Sequence, residues 1–327
     1  MSIYIQGTGS YVPPRVLHNR DLEKSLNTTD EWISQRTGVR ERRMADPEVA
    51  ASDLALWASK AALEMAQFKI ENLPLIIMAT ITPDTHCPSG ANWLQAKLGA
   101  NNAVTFDVTA ACSGFIFALN VAEQYLKAGS FEHVLVVASE IMTRTLNWTD
   151  RSTAILWGDG AGAVLLARDG GGAEILSTHI HTDGANGANL LMPGGGSKTT
   201  PISHESVDKD LHTLKMIEAS ASVRVAVKYF AEAAIEAVEA NGVSLNDVDW
   251  VIPHQANLRM LQAVAKRLNV PFEKFYMTVH KYGNISSASI SIALDEAVRT
   301  GAIQKGHLIL LTAFGGGLTW GSALIRW

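Results

Sequence analysis

Three residues able to run acyl chemistry stand at element ends in this 327-residue chain: Cys112 in DVTAACSGF, His254 in VIPHQANLRML and Asn284 in HKYGNISSASISIAL. A cysteine thiolate attacks an acyl carbonyl, while an imidazole and a carboxamide can each donate a hydrogen bond to the charge that develops. Cys112 follows an apolar run and opens a helix almost free of charge for three turns. That position puts it at the positive end of a helix macrodipole, which favours thiolate over thiol. Small residues crowd the turn from Ala110 to Gly114, so a carbonyl can approach closely and backbone N–H groups can hold an oxyanion. Each of the three also has a plainer reading: Cys112 as a small packing residue, His254 as a structural or surface histidine, Asn284 as an N-cap. Cysteine hydrolases use the same residue types, so the set alone leaves the reaction open.

The elements that must position these residues alternate short β-branched runs with longer helical patterns, which predicts an α/β protein with buried sheets. The two halves of the chain rhyme. LPLIIMAT (73–80) corresponds to VDWVIPH (248–254), VTFDVTAAC to KFYMTVHKYGN, and SGFIFALNVAEQYLKAG to ISSASISIALDEAVRTG. EHVLVVASE and GDGAGAVLL then correspond to GHLILLTAF and TWGSALIRW. Identity is low, but the order is kept. Two halves, 1–170 and 171–327, packed about a pseudo-two-fold axis would make the helices 113–127 and 286–299 central neighbours. Both have apolar or small residues nearly all round at their N-terminal ends, as buried helices do. The same symmetry brings Cys112 and Asn284 together, placing a site between the halves.

Composition narrows the field. The length suits two domains of about 100–200 residues or one duplicated domain. A net charge of −5 supplies no global basic field for nucleic acid or an anionic membrane, so any acidic partner must meet a local patch. Two cysteines, Cys87 and Cys112, argue against a disulfide framework. The start lacks a basic and apolar leader, and no run approaches the ~20 apolar residues of a membrane span, so a soluble cytoplasmic protein is expected. The histidines show no HExxH spacing and no CxxC occurs, so neither a metal nor another cofactor is expected.

Six motifs in order, NTTDEWISQRTGVRERR, DVTAACSGF, ILWGDGAGAVLL, VIPHQANLRML, HKYGNISSASISIAL and LTAFGGGLTWGSALIRW, cover essentially the whole chain. On these the sequence resembles the β-ketoacyl-acyl-carrier-protein synthase III family, the initiating condensing enzymes of type II fatty-acid synthesis. The resemblance implies a thiolase-like fold, a duplicated αβαβα layered sandwich with two buried central helices, working as a homodimer. It implies that Cys112 takes an acyl group from a coenzyme A thioester, and that His254 and Asn284 hold the thioester carbonyl of malonyl-acyl-carrier protein during decarboxylation. Gly316 matches the backbone donor that completes the oxyanion hole with the N–H of Cys112, and Phe314 the phenylalanine beside the nucleophile. Trp32 and Arg151 match a pair that sandwiches the adenine of CoA, with Arg36 and Thr28 nearby. Arg224, Arg259, Lys266 and Arg267 fall where the family carries a basic patch for its acidic carrier protein.

The departures from the family pattern bear on substrate. Cys87 stands where a phenylalanine often reaches across the dimer into the acyl pocket, Leu318 replaces another phenylalanine, and Ala219 and Val223 stand where Gly and Phe are expected. Lost aromatic volume opens space, so primers longer or bulkier than acetyl are expected. A condensing enzyme of secondary metabolism on the same fold and a non-catalytic acyl-CoA- or carrier-binding subunit are the alternatives.

Overall fold

The computed structural model describes residues 2–197, 201–217 and 219–327; the side chains of Asn186, Asn189 and 219–222, Ala219 among them, lie outside that description. Among the described residues nine strands form one sheet: β1 (Ile3–Tyr11), β2 (Leu75–Ala79), β3 (Val104–Val108), β4 (His133–Ile141), β5 (Asp159–Arg168), β6 (Ala173–Thr182), β7 (Trp250–Pro253), β8 (Leu308–Gly315) and β9 (Thr319–Arg326). Their spatial order is β7-β8-β9-β6-β1-β5-β4-β2-β3. This order is one pattern used twice and joined at β1 and β6. In one half β2 runs parallel to β4, β4 antiparallel to β5, and β5 antiparallel to β1. In the other, β7 runs parallel to β8, β8 antiparallel to β9, and β9 antiparallel to β6.

Three of the matched segments are therefore strand for strand. A fourth diverges: VTFDV forms β3 along β2, whereas KFYMTV meets β7 only at the bridge of Phe275 with Val251. The buried Gln255 explains the difference. Its carboxamide nitrogen donates to the Tyr276 carbonyl, and its oxygen accepts from the N–H groups of Thr278 and Val279. A side chain thus satisfies backbone groups that a ladder would otherwise have to pair.

The layers follow from strand alternation. In β2, Leu75, Ile77 and Ala79 join the central core, while Ile76 and Met78 face outward beneath α2 (Ala51–Met65) and α3 (Gly90–Leu98). In β8, Ile309, Leu311 and Ala313 point to the centre, while Leu308 and Leu310 meet α5 (Ala219–Ala240) and α6 (Leu258–Leu268). Between the half-sheets lie α4 (Gly114–Lys127) and α7 (Ala288–Arg299), which gives the αβαβα order. A further helix, α1 (Asp30–Thr37), lies outside the layers.

The central pair is held by apolar packing and by a carboxylate anchor. Phe115, Ile116, Leu119 and Leu126 of α4 are fully buried, each worth roughly 1.5–3 kcal/mol over exposure. On β5, a Cβ at Gly162 would lie 2.4 Å from Ser291 Oγ, so glycine is what lets α7 rest on the strand. Thr8 and Ser10 of β1 donate to the two carboxylate oxygens of Asp295 on α7 at 2.7 and 2.6 Å, tying a C-terminal helix to an N-terminal strand. Among the described residues no helix is long and apolar enough to cross a membrane.

Candidate active site

Cys112 lies in a 3₁₀ turn, Ala111–Ser113, between β3 and α4, so the α-helix proper begins at Gly114 rather than at the expected Ser113. Ala111 takes a left-handed φ of +46° to make the corner. The corner is bolted to the other half of the chain. Ser113 Oγ donates to the Thr319 carbonyl and Thr319 Oγ1 to the Ala110 carbonyl, both at 3.0 Å. Gly315 completes the fit: a Cβ there would sit 2.8 Å from the Cys112 nitrogen, so a side chain at the end of β8 would push Cys112 out of place.

His254 follows β7 directly, and its N–H donates to the Thr312 carbonyl of β8 at 2.9 Å. Asn284 precedes α7. Its N–H donates to the Leu156 carbonyl, and its Oδ1 accepts from the Ser286 N–H at 2.8 Å. Because a backbone N–H can only donate, this contact fixes which side of the carboxamide is oxygen and makes its NH₂ the donating side. Cys112, His254 and Asn284 line one cavity of about 220 Å³ together with Phe314 and Gly316. Its other walls are mostly apolar, formed by Leu156, Trp157, Leu190, Met216 and Met260. Phe314 is held by Tyr229 and Phe230, at ring separations of 6.2 and 6.3 Å.

Electrostatics corrects one expectation. Burial pushes the Cys112 thiol up to about 12, against the pull of the Ser286 hydroxyl and of the Cys112 and Gly316 backbone. The helix start does not yield a resting thiolate, because desolvation outweighs the nearby donors. The fully buried Glu140 adds a smaller push in the same direction. Its carboxyl accepts from Ser287 Oγ and Thr82 Oγ1, both at 2.7 Å, and from the Ile81 N–H. Burial also drives His254 down to about 3, a polar contact with the Ser286 backbone working weakly against it. At neutral pH the ring is therefore an uncharged imidazole with one N–H to give.

The remaining expected residues fall in four places. Leu318, at φ +43°, and Val223 line the cavity. Cys87 does not: it is exposed and outside the cavity of its own chain. The residues expected to clamp an adenine lie stacked on one another. The Arg151 and Arg36 guanidinium carbons lie 4.5 and 4.7 Å from the Trp32 ring centre. A base between two stacked groups needs about 7 Å, twice a van der Waals contact, so a base could enter there only if Arg151 swung aside. It must also release the Asn27 carbonyl, to which it donates at 2.7 Å. Thr28 keeps a buried Oγ1 with no partner among the described residues. Arg224 on α5 and Arg259, Lys266 and Arg267 on α6 are all exposed. Arg259 sits beside the cavity-lining Met260 and donates to the Gln35 carbonyl.

Sequence reasoning missed Gln255, Ser286, Thr319 and Glu140. Gln255 and Ser286 flank His254 and Asn284 in the quoted motifs, but nothing in their types marks them. Thr319 and Glu140 act across more than a hundred residues of chain, on Ala110 and Ser287.

A cysteine corner facing two neutral donors across the seam of a duplicated αβαβα sandwich defines an acyl-transferring enzyme of the thiolase fold. Comparison with known proteins narrows this class. Family models for 3-oxoacyl-acyl-carrier-protein synthase III and for its C-terminal part match residues 106–184 and 238–327. The β-ketoacyl-acyl-carrier-protein synthase III of Caldanaerobacter subterraneus subsp. tengcongensis is 50% identical over 323 residues, covering 99% of this chain and 97% of that protein. The crystal structure of the 3-oxoacyl-acyl-carrier-protein synthase III of Aquifex aeolicus VF5 matches at TM-score 0.91 and 43% identity, over 99% of this chain and 100% of that one. The priming β-ketosynthase of the R1128 polyketide biosynthetic pathway matches at 0.90 and 35%, over 99% and 96%. The chain belongs to the β-ketoacyl-acyl-carrier-protein synthase III family. It is a condensing enzyme that transfers acyl groups.

Proposed function

We propose that this chain condenses an acyl-CoA primer with malonyl-acyl-carrier protein, giving a 3-oxoacyl-acyl-carrier protein, CO₂ and CoA, and so starts fatty-acid synthesis. The observation that carries this reading is the convergence of Cys112, His254, Asn284 and Gly316 on one largely apolar cavity. Cys112 sulfur bonds to the primer carbonyl while the C–S bond to CoA breaks and CoA leaves with the thiol proton. The N–H groups of Cys112 and Gly316 face the oxygen of that tetrahedral intermediate. Malonyl thioester then binds with its carbonyl oxygen between His254 and Asn284. Loss of CO₂ leaves an enolate, and two uncharged donors aimed at its oxygen stabilise charge that exists only from the transition state onward. The enolate carbon attacks the acyl-cysteine, the C–S bond breaks, and the sulfur regains a proton from water. No charged base is needed, because departing CO₂ leaves the electron pair. The kinetics are ping-pong. CoA is a substrate in this scheme, and no cofactor takes part.

Trp32, Arg36, Arg151 and Thr28 hold the CoA nucleotide once the clamp opens, and Arg224, Arg259, Lys266 and Arg267 receive the acidic carrier protein at the cavity mouth. The halves 1–170 and 171–327 each supply part of the site. The protein works in the cytoplasm as a homodimer. Supporting a dimer, β3 is the last strand of the sheet, with β2 its single neighbour and Val104 exposed at its end. A second β3 could continue the sheet there and bring Cys87 toward the partner's cavity. Leu318 and Val223 in place of larger side chains favour primers beyond acetyl.

The test is reconstitution with malonyl-acyl-carrier protein and acyl-CoAs from acetyl to decanoyl. Formation of the 3-oxoacyl thioester with stoichiometric CO₂, extending to butyryl or longer primers, is expected. CoA release without carbon–carbon bond formation would refute condensation, and strict use of acetyl would refute the wider pocket. A partner role in secondary metabolism, as the polyketide relative's name suggests for that protein, predicts turnover only with a dedicated carrier.

A further inference from the structure

The two donors of the proposed decarboxylation step stand on different segments, and one buried side chain joins those segments. Gln255 follows His254, is fully buried and is not among the residues that wall the cavity. It is the middle residue of a three-residue turn, in which the Ala256 N–H donates to the His254 carbonyl at 2.9 Å. Its carboxamide nitrogen donates to the Pro253 and Tyr276 carbonyls at 2.9 and 3.1 Å. Its oxygen accepts from the Thr278 and Val279 N–H groups at 2.8 and 3.1 Å. Two hydrogens and two lone pairs are all that a carboxamide offers, so every one is used. On one side these contacts grip the residue just before His254. On the other they grip the start of the single helical turn Val279–Tyr282, which runs through Gly283 into Asn284. The opposite ends are held elsewhere: the His254 N–H by the Thr312 carbonyl, and the Asn284 N–H and carbonyl by the Leu156 carbonyl and the Gly158 N–H. The Cys112 corner hangs on Ser113 and Thr319, neither of which bonds Gln255.

We propose that Gln255 is a positioning residue that sets the spacing between His254 and Asn284, so that both donors meet the same thioester oxygen. Two donors stabilise an enolate oxygen only where both reach it, and a misplacement of about 1 Å can cost about a hundredfold in rate. The four contacts span the end of β7, the turn after it and the chain ahead of Asn284. Losing them frees that spacing and leaves Cys112 anchored. Gln255 makes no bond to substrate and moves no proton; it acts through its two neighbours in the site. The inference deepens the proposed function and rests on its decarboxylation step.

Gln255→Met keeps the length of the side chain and removes all four contacts. Gln255→Glu keeps the two accepted contacts, loses the two donated ones, and serves where the methionine variant does not fold. Acylation of Cys112 by acetyl-CoA is followed by intact mass, and CO₂ release from malonyl-acyl-carrier protein is measured on the same preparations. CO₂ release should fall about 10- to 100-fold in either variant, while acylation changes less than about threefold. In an Asn284→Ala background one donor remains and no spacing is left to set, so adding Gln255→Met should cost less than about threefold more. Parallel falls in acylation and CO₂ release, or a full further loss in the Asn284→Ala background, would overturn the proposal and make Gln255 a support of the fold, with the proposed function left standing. Unchanged CO₂ release in both variants would overturn it too. A parent whose Cys112 is acylated but which frees no CO₂ would remove the proposed function, and this inference with it.

Discussion

Ala111 and Ser286 share one left-handed backbone angle, φ +46°, and each stands just ahead of a central helix. The next residue after the first is Cys112, the proposed nucleophile. The next after the second is Ser287, whose hydroxyl instead donates to Glu140 at 2.7 Å, with the Ala79 carbonyl also within reach at 3.2 Å. The duplication has thus kept the corner twice and used it for chemistry once. Holding a non-glycine residue there costs about 1–2 kcal/mol, which the packing of α4 and α7 offsets.

A β-branched side chain makes that cost larger. Ala111→Val should lower the stability by at least about 1–2 kcal/mol and displace Cys112, whereas Ala111→Gly should fold at least as well as the parent. Thermal unfolding together with acyl-adduct formation checks both, and a Val variant matching the parent in each would show that the corner is not strained.

Removing either donor of the proposed decarboxylation pair, His254 and Asn284, should act on one half-reaction. His254→Ala and Asn284→Ala should each cut CO₂ release from malonyl-acyl-carrier protein about 10²–10³-fold, while acyl transfer from acyl-CoA to Cys112 persists. Rapid-quench assays of the separate steps distinguish this from a general loss of fold, which would depress both.

The neutral imidazole has a pH signature. With His254 at about 3, the CO₂-release step should show no inflection near 6.5. Stability should respond. Between its free value of 6.5 and about 3, the unfolded chain binds a proton at His254 that the folded chain does not, so stability falls as pH drops through that window. Asp159 runs the other way. Burial raises it from 3.8 to about 6, so the folded chain holds a proton there that the unfolded chain gives up, and stability falls as pH rises between those values. The two oppose each other, so a mutant is the clean test: the melting temperature of His254→Gln relative to the parent should improve as pH falls from 7 to 5. No relative change would mean that the ring is not held neutral.

Opening the nucleotide clamp predicts a KM effect. Arg151→Ala removes a guanidinium that now covers Trp32 and that would stack on a base, so KM for acyl-CoA should rise about tenfold with little change in kcat. An acyl donor lacking the nucleotide, such as an acyl-pantetheine, should not feel the substitution. Equal losses on both donors would assign Arg151 to the fold.

Much of this was legible in the chain. The order of matched segments foretold the two half-sheets, and the lack of charge in SGFIFALNVA and ISSASISIAL foretold two buried central helices. Proximity of Cys112 to Asn284 followed from that symmetry. Three features were not legible, each for a physical reason. KFYMTV reads as a strand by composition, and only the reach of Gln255 from another element turns it into an irregular edge. The thiol at Cys112 was expected to ionise on local grounds, but its protonation depends on burial created by residues distant in sequence. The stacking of Arg36 and Arg151 on Trp32 depends on side-chain placement, which residue type does not set.

The central claim is that Cys112 carries the primer. Intact-protein mass spectrometry after incubation with acyl-CoAs from acetyl to decanoyl, with Cys112→Ala beside the parent, tests it most directly. The account predicts one acyl adduct per chain on the parent, none on the variant, and discharge of the adduct by malonyl-acyl-carrier protein. An adduct that survives in Cys112→Ala, or a parent that turns over without ever forming one, would contradict it.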